Sequence, residues 1–390
     1  FFALGFMVIP DTPLLLCWFL AGRAAWRVAH RPDRGSAARL GLAFGFAALS
    51  KYVAVLLVLS TAGFLRLRTE RRHLVPFLTA VAIGLLLMSP VVWWNAGHDW
   101  ASFRYQFAGR HHGAHLDLGR LALYLGSQAL VLSPLLMVLV AAAALESGPW
   151  HIGRGDPGEH LLWWLGAPTA GAFLAAAAIT DFKPNWAAPG YAALVPLAVR
   201  GLWRWRARAP RPAAATGVAT LATALACTAL PVVHLIHPVI PLPAGADPTV
   251  DMRGWPAIAA HAEAAAMQVR SETRVTPLFA AGRYQLAARL EYYLRGHPDV
   301  VSLNPGRDAY DDWQDLHPLA GRNIVFITSD RFPTPPDELI RCDSARVVSR
   351  LTVASRREEQ FHVTVWDVRG YRPGPPLPGI FLKRSRSRGG

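Results

Sequence analysis

The sequence predicts a mainly α-helical membrane protein, a polytopic transmembrane helical bundle followed by a small α/β domain. Three observations carry that expectation. Apolar segments recur at roughly 1–9, 13–29, 39–50, 52–66, 74–94, 118–145, 161–180, 186–203 and 214–236, and several reach the ~20 residues that cross a bilayer core. Arginines cluster between these segments. Past a Pro-rich stretch at 237–250 the long apolar runs give way to short helix and strand patterns. The chain of 390 residues is 52% hydrophobic with mean hydropathy +0.23, which suits a membrane protein with a soluble part.

The charge pattern orients the segments. Residues 1–244 hold 20 basic and 9 acidic residues, a surplus of 11, whereas residues 245–380 hold 16 and 17. The surplus sits in three clusters, Arg23 to Arg39, Arg66 to Arg72 and Arg204 to Arg211, which the positive-inside rule places in the cytoplasm. Alternation of spans then puts four polar motifs on the opposite, outer face: Pro10-Asp11-Thr12-Pro13, Ser50-Lys51-Tyr52, Trp94 to Leu116, and Asp181 to Trp186. Everything after residue 240 follows them. The soluble part is close to neutral, so no basic nucleic-acid footprint is present and nucleic acid is excluded as a partner.

The organisation read from this pattern is a multi-span domain over 1–236, a Pro-rich linker over 237–250, a soluble α/β domain over 251–372 and a basic, disordered tail over 373–390. Segments 39–50 and 52–66 are short for two full crossings and read as a helical hairpin. Within the soluble part, Trp255 to Arg270 and Arg283–Arg295 read as helices, the second with Leu286, Leu290 and Leu294 at four-residue steps. Val275–Ala280, Asn323–Thr328, Arg346–Val353 and Gln360–Val368 read as strands. Cys17, Cys227 and Cys342 show neither metal-ligand spacing nor a disulfide framework.

Lys51 and Lys183 are the points of chemical interest. The chain has three lysines, the third being Lys383 in the tail, and every other basic charge is arginine. A lysine beside hydrocarbon is costly unless it meets an anion or the interface, and a compact ammonium suits a phosphate. Each motif also has a plain structural reading. Asp11 can N-cap a helix, with Pro13 in its first turn. Lys51 can snorkel to headgroups. The Trp93-Trp94 and Trp100 run can be an aromatic belt. A belt, however, does not require Asn95, His98, Asp99, Arg104 and Gln106 interleaved with it, whereas a carbohydrate site pairs aromatic faces with such groups. Lys183 and Asn185 form either an interfacial turn or a second polar contact. His111, His112 and His115 suit a metal only if all three converge, and a solvated loop accounts for them as well.

The motifs "PDTPL", "GLAFGFAALSKY", "SPVVWWNAGHDWASFRYQ" and "FKPNWAAPGY" together resemble the bacterial protein-mannosyltransferase-like glycosyltransferases of the GT-C fold, of which lipid A aminoarabinose transferase is one. The resemblance covers residues 1 to about 235 and extends weakly into the soluble part, at "GRYQLAARLEYYLRGHPDV" and "GYRP". It implies a polyprenyl-phosphate-linked sugar donor, a lipid, glycan or protein acceptor, and transfer on the periplasmic side of the bacterial inner membrane. The implied substrate-binding set is Asp11, Lys51, Tyr52, Asn95, His98, Asp99, Arg104, Gln106, Lys183 and Asn185. No cofactor follows from the residues, and a divalent metal at the lipid phosphate stays open as an additional cation. The family's catalytic Asp lies in the first outer loop, upstream of the place where this chain begins. The base is therefore unassigned, Asp11 is given only an auxiliary carboxylate role, and the N-terminally truncated chain is expected to be inactive alone. Transfer by a chain starting at Phe1 would contradict that expectation. Two other classes fit many spans with a soluble domain: a transporter or flippase of a lipid-linked substrate, and a non-catalytic membrane partner protein. The first favours sites at the bilayer midplane between inverted repeats, which the sequence does not show, and the second has no need of Lys51 or Lys183.

Overall fold

The computed structural model describes residues 9–66, 71–106, 115–151, 156–180, 183–242, 247, 249–304, 310–355 and 358–374. The chain divides into two compact units, Phe1–Leu230 and Pro231–Gly390. The first is helical: α1 (Asp11–His30), α2 (Arg34–Ser50), α3 (Ala54–Arg66), α4 (Leu74–Gly97), α5 (Leu118–Leu132), α6 (Pro134–Glu146), α7 (Pro157–Ala177), α8 (Ala188–Arg208) and α9 (Pro210–Ile236), the last running on into the second unit. Helices α4 and α9 are each long and apolar enough to cross a membrane, and α5 with α6 makes a third span if the broken pair is counted as one. Their outer surfaces are densely apolar, with Val75, Leu85 and Leu86 on α4 and Val218, Leu221 and Leu225 on α9 exposed, as lipid-facing helices require.

The helix ends follow from local chemistry. Asp33 caps α2 in a capping box: its carboxylate accepts the Ser36 N–H at 2.6 Å, and the Ser36 hydroxyl accepts the Asp33 N–H at 3.1 Å. The predicted hairpin 39–66 is two helices parted at Lys51, whose backbone turns extended (φ −165°, ψ 138°). The apolar stretch 118–145 differs from the single run expected. It breaks at Ser133 (φ 78°), and α5 and α6 meet at 103°. Pro134 forbids continuation of α5 and pushes the residue before it out of the helical region. Ser133 then caps α6 by accepting the Leu136 N–H.

Helices α1, α2, α3 and α7 share a core around Leu14, Trp18, Leu40, Phe44, Leu57, Phe64 and Leu165. The buried Trp18 indole donates to the Leu165 carbonyl at 3.0 Å. Each helix that carries a polar motif at one end carries arginine at the other: Asp11 and Arg27 on α1, Arg34 and Lys51 about α2, Asn185 and Arg204 about α8. At the arginine end Arg200 and Arg204 pair with Glu159 of α7.

The second unit holds α10 (Trp255–Thr273), α11 (Tyr284–Tyr293) and strands β1 (Leu278–Ala281), β2 (Val300–Ser302), β3 (Ile324–Ser329), β4 (Ser344–Ser355) and β5 (Glu358–Arg369). The sheet order is β2-β1-β3-β5-β4, with β1 parallel to both β2 and β3 and the remaining pairs antiparallel. Every residue of β3 is buried. Val325 and Ile327 join the core under α10 and α11, and Ile324 and Phe326 join the core on the other face with Leu339 and Tyr371, which explains its continuous apolar run. The predicted helices and four of the strands are present within a few residues, and β2 is an addition. Gly254 enters α10 at φ 74°, where a Cβ would lie 2.6 Å from Val353, so neither backbone nor space admits another residue. The tail from 375 onward lies outside the described residues.

The Pro-rich stretch is anchored. Arg253 donates to the His234 and Leu235 carbonyls at 2.6 and 3.2 Å and to Asp247 at 3.2 Å, filling C-terminal carbonyls that α9 leaves open. Burial raises the Asp247 carboxyl. The hydroxyl and amide of Thr249, with the charges of Arg253 and His234, outweigh it and hold the group below the usual carboxylate range. A depressed carboxyl stabilises the fold above its unfolded value of about 4, and that stability is lost as pH falls through the lower folded value. The protection factors of the amides across Val250–Met252, which correct exchange for its intrinsic pH dependence, are therefore expected to stay level from about pH 7 to 5 and to fall below about pH 4. A flat profile would remove Asp247 from the anchor.

Candidate functional site

Three of the sequence motifs meet at one end of the helical unit. The Lys51 ammonium lies 2.8 Å from Asp11 Oδ1, and the Asn185 amide donates to Asp11 Oδ2 at 3.1 Å. These residues stand 40 and 174 positions apart from Asp11, so only the fold joins them. Asp11 is 3% exposed and the Lys51 side chain 19%. The capping reading of Asp11 does not hold, because Pro10 occupies the N-cap position and makes no side-chain cap. Asp11 is the first helical residue, and both of its oxygens turn to Lys51 and Asn185.

Local structure dictates these positions. Lys51 terminates α2, its N–H still reaching the Ala47 carbonyl at 2.9 Å, and the chain restarts as a helix only at Ala54. Asn185 sits in a 3-10 turn, Pro184–Ala187, that leads into α8. The buried Gln128 of α5 donates to the Pro184 carbonyl at 3.3 Å and holds that turn. Trp186 packs edge-on against Phe173 at 6.1 Å and lies under Lys51, whose ammonium is 5.3 Å from the ring centroid. The lysine is thus held by a carboxylate and an aromatic face together.

The Trp-rich loop reaches this end through Tyr52, whose ring stacks on Phe103 at 5.2 Å. Asn95 is fully buried and serves the loop itself. Its amide donates to the Val91 carbonyl at 2.9 Å, its Oδ1 accepts the Ser102 N–H at 3.0 Å, and its backbone carbonyl takes the N–H groups of His98 and Trp100. Those bonds hold Asp99 and Trp100 at φ 52° and 56°, a strained pair that needs such support. His98 stacks on Trp94 at 4.1 Å and donates to its carbonyl. The structure joins none of Asn95, His98, Asp99, Arg104 and Gln106 to Asp11 by a hydrogen bond or ion pair. Asp99 and Arg104 are exposed and Gln106 is half-buried. Lys183, beside the turn, is exposed. Asp181, Phe182, His111 and His112 lie outside the described residues, among which no three His, Cys, Asp or Glu side chains form a metal site.

Two contributors escaped the sequence reading. Trp186 stood in a recognised motif as an interfacial residue, and its role beneath Lys51 needs the fold. Gln128 carried a signal, an uncharged amide alone in an apolar helix, with nothing in the sequence to name its partner.

Residues 1–94, which include Asp11 and Lys51, match the family model of dolichyl-phosphate-mannose-protein mannosyltransferase. Over 193 residues the chain is 28% identical to lipid A galacturonosyltransferase RgtD of Rhizobium johnstonii, a match covering 48% of this chain and 40% of that protein. The chain thus spans less than half the length of that relative. No solved structure matches it. The chain is thus similar to glycosyltransferases of the protein-mannosyltransferase type, with the family model matching the segment that carries Asp11 and Lys51.

Proposed function

We propose that this protein moves a sugar from a polyprenyl-phosphate donor to an acceptor hydroxyl at the periplasmic face of the bacterial inner membrane. The convergence of Asp11, Lys51 and Asn185 is the observation that supports this most. In the reaction the bond from the anomeric carbon to the phosphate oxygen breaks and the acceptor oxygen bonds to that carbon. The acceptor proton leaves to a base, and the phosphate gains negative charge. A fixed ammonium aimed at that oxygen stabilises the charge as it develops. Lys51 fills the role, and the exposed Lys183 supplies a second cation from the α8 side. Asp11, with both oxygens engaged, acts as a positioning residue that aims Lys51 and Asn185 rather than as the base.

The three arginine clusters support a cytoplasmic location for the opposite helix ends, which puts Lys51, Lys183 and the soluble domain on the periplasmic side. In this reading residues 1–236 are the multi-span domain and 251–372 the soluble domain. The acceptor is a lipid, glycan or protein, and the lipid A named for the Rhizobium relative is the first to try. Membranes containing the full-length protein, incubated with a panel of polyprenyl-phosphate sugars, are expected to release free polyprenyl phosphate and to yield an acceptor heavier by one sugar residue in mass spectrometry. Donors left intact across the panel would contradict the reading.

A further inference from the structure

Helix α5 presents two unlike faces. Leu118, Leu123 and Leu130 are exposed, whereas Tyr124, Gln128 and Leu132, at steps of four residues, are buried. The buried face meets the turn Pro184–Ala187 at two points. Tyr124 shares a core with Trp186 and Ala187, and the Gln128 amide donates to the Pro184 carbonyl at 3.3 Å across 56 positions of sequence.

An amide is a destabilising group in that place. Gln128 is 1% exposed, and its Oε1 is buried with no hydrogen-bond partner. An unmet buried acceptor weakens a fold, and packing alone is served better by a leucine of similar size. The donor end of the amide therefore has to account for the residue. What it holds is the pivot of the site. The segment Pro184–Ala187 is a single 3-10 turn, an element with poor hydrogen-bond geometry of its own. Its second residue, Asn185, reaches Asp11 Oδ2 at 3.1 Å, and its third, Trp186, lies under the Lys51 ammonium at 5.3 Å. A shift of the turn moves one partner of Asp11 and the floor beneath Lys51 together, while the Lys51–Asp11 pair at 2.8 Å can stay closed.

We infer that Gln128 is a positioning residue for sugar transfer, acting through the Pro184 carbonyl on Asn185 and Trp186. The inference rests on the transfer reading for its kinetic consequence and on the turn alone for its structural one.

Two measurements on the full-length protein in nanodiscs test it, with Gln128→Leu and Gln128→Glu as variants. Hydrogen-exchange mass spectrometry needs no substrate. Gln128→Leu is expected to speed exchange of the turn amides, among them the Trp186 N–H on the Lys183 carbonyl, by about fivefold, the weight of one net hydrogen bond. Exchange in α1 is expected to stay unchanged. With a polyprenyl-phosphate sugar, Gln128→Leu is expected to lower kcat about 10- to 100-fold, as loss of an outer supporting partner does, and to leave KM within about twofold. In an Asn185→Ala background the same substitution is expected to cost less than about twofold more. Gln128→Glu carries the clearest signature. A protonated carboxyl still donates to the Pro184 carbonyl and an ionised one repels it. Transfer by this variant, relative to the unsubstituted protein, is therefore expected to persist at low pH and to fall as pH rises. Unchanged exchange at the turn in Gln128→Leu overturns the inference whatever the reaction. Faster exchange throughout the helical unit marks a merely structural role and overturns it too. So do an unchanged kcat, losses that multiply with Asn185→Ala, or a Gln128→Glu variant as impaired as Gln128→Leu at every pH. A donor left intact by the unsubstituted protein contradicts the transfer reading instead, and the exchange result still decides the turn.

Discussion

Replacing Lys51 by alanine is expected to lower sugar transfer about 100- to 1,000-fold while leaving the protein folded, the loss typical of removing one preorganised group that meets developing charge. The size of the effect follows from the setting. The ammonium is mostly buried, lies 2.8 Å from a carboxylate and rests over Trp186, so it cannot reorient and water screens it poorly. Donor binding is expected to weaken less than turnover, because the phosphate carries one charge in the donor and gains another as the sugar leaves. A kinetic split of this kind, read as kcat against KM with a polyprenyl-phosphate sugar, separates stabilisation of the leaving group from simple tethering. Equal loss in both parameters would reduce Lys51 to a docking residue. Asp11→Ala is expected to be harsher on folding than Lys51→Ala, since it strands a buried ammonium and an amide together.

Replacing Gly190 by leucine is expected to destabilise the helical unit by about 3 kcal/mol, at the upper end of ordinary overpacking. Helices α7 and α8 cross with glycine backs in contact. A Cβ on Gly190 would sit 2.8 Å from the Gly166 carbonyl and 3.0 Å from the Ala170 nitrogen, and one on Gly166 would sit 2.8 Å from the Gly190 carbonyl. Both obstacles are backbone, so no rotamer change relieves them, and close approach through small residues is what holds apolar helices together in a membrane. The consequence reaches the site, because α8 begins immediately after the turn that carries Asn185 and Trp186. Detergent-induced unfolding followed by circular dichroism reads the stability change, and transfer is expected to fall with it. Gly171→Ala is the control. A Cβ there meets nothing within 4 Å, and alanine in a helix interior is expected to be neutral or stabilising by roughly 0.5–1 kcal/mol. Equal effects at the two glycines would contradict the close-crossing account.

Most of the helices were legible because apolar length and arginine placement are local signals. The same signals bring Asp11, Lys51 and Asn185 to one end from the sequence alone, since counting crossings fixes which ends coincide. Pairing was not legible. Nothing at Asp11 distinguishes a cap from an ion-pair partner 40 residues on, and the structure decides it by placing Pro10 at the cap. Asn95 shows the reverse limit. A polar residue among tryptophans reads as a sugar contact, yet its amide is consumed in shaping the turn that follows. The Ser133-Pro134 break lay in plain view within an apolar run, but hydropathy averages across a single proline and hides the 103° bend. Strand β2, with three residues, is too short to show alternation.

The most direct test of the central claim, that Asp11 acts through Lys51 on a lipid phosphate, is a double-mutant cycle on transfer using Asp11→Asn, Lys51→Ala and the pair. Residues that work as one unit are strongly non-additive. The expected result is a double variant within about twofold of Lys51→Ala alone, as that non-additivity requires. Losses that multiply, or transfer unchanged in Lys51→Ala, would contradict the claim.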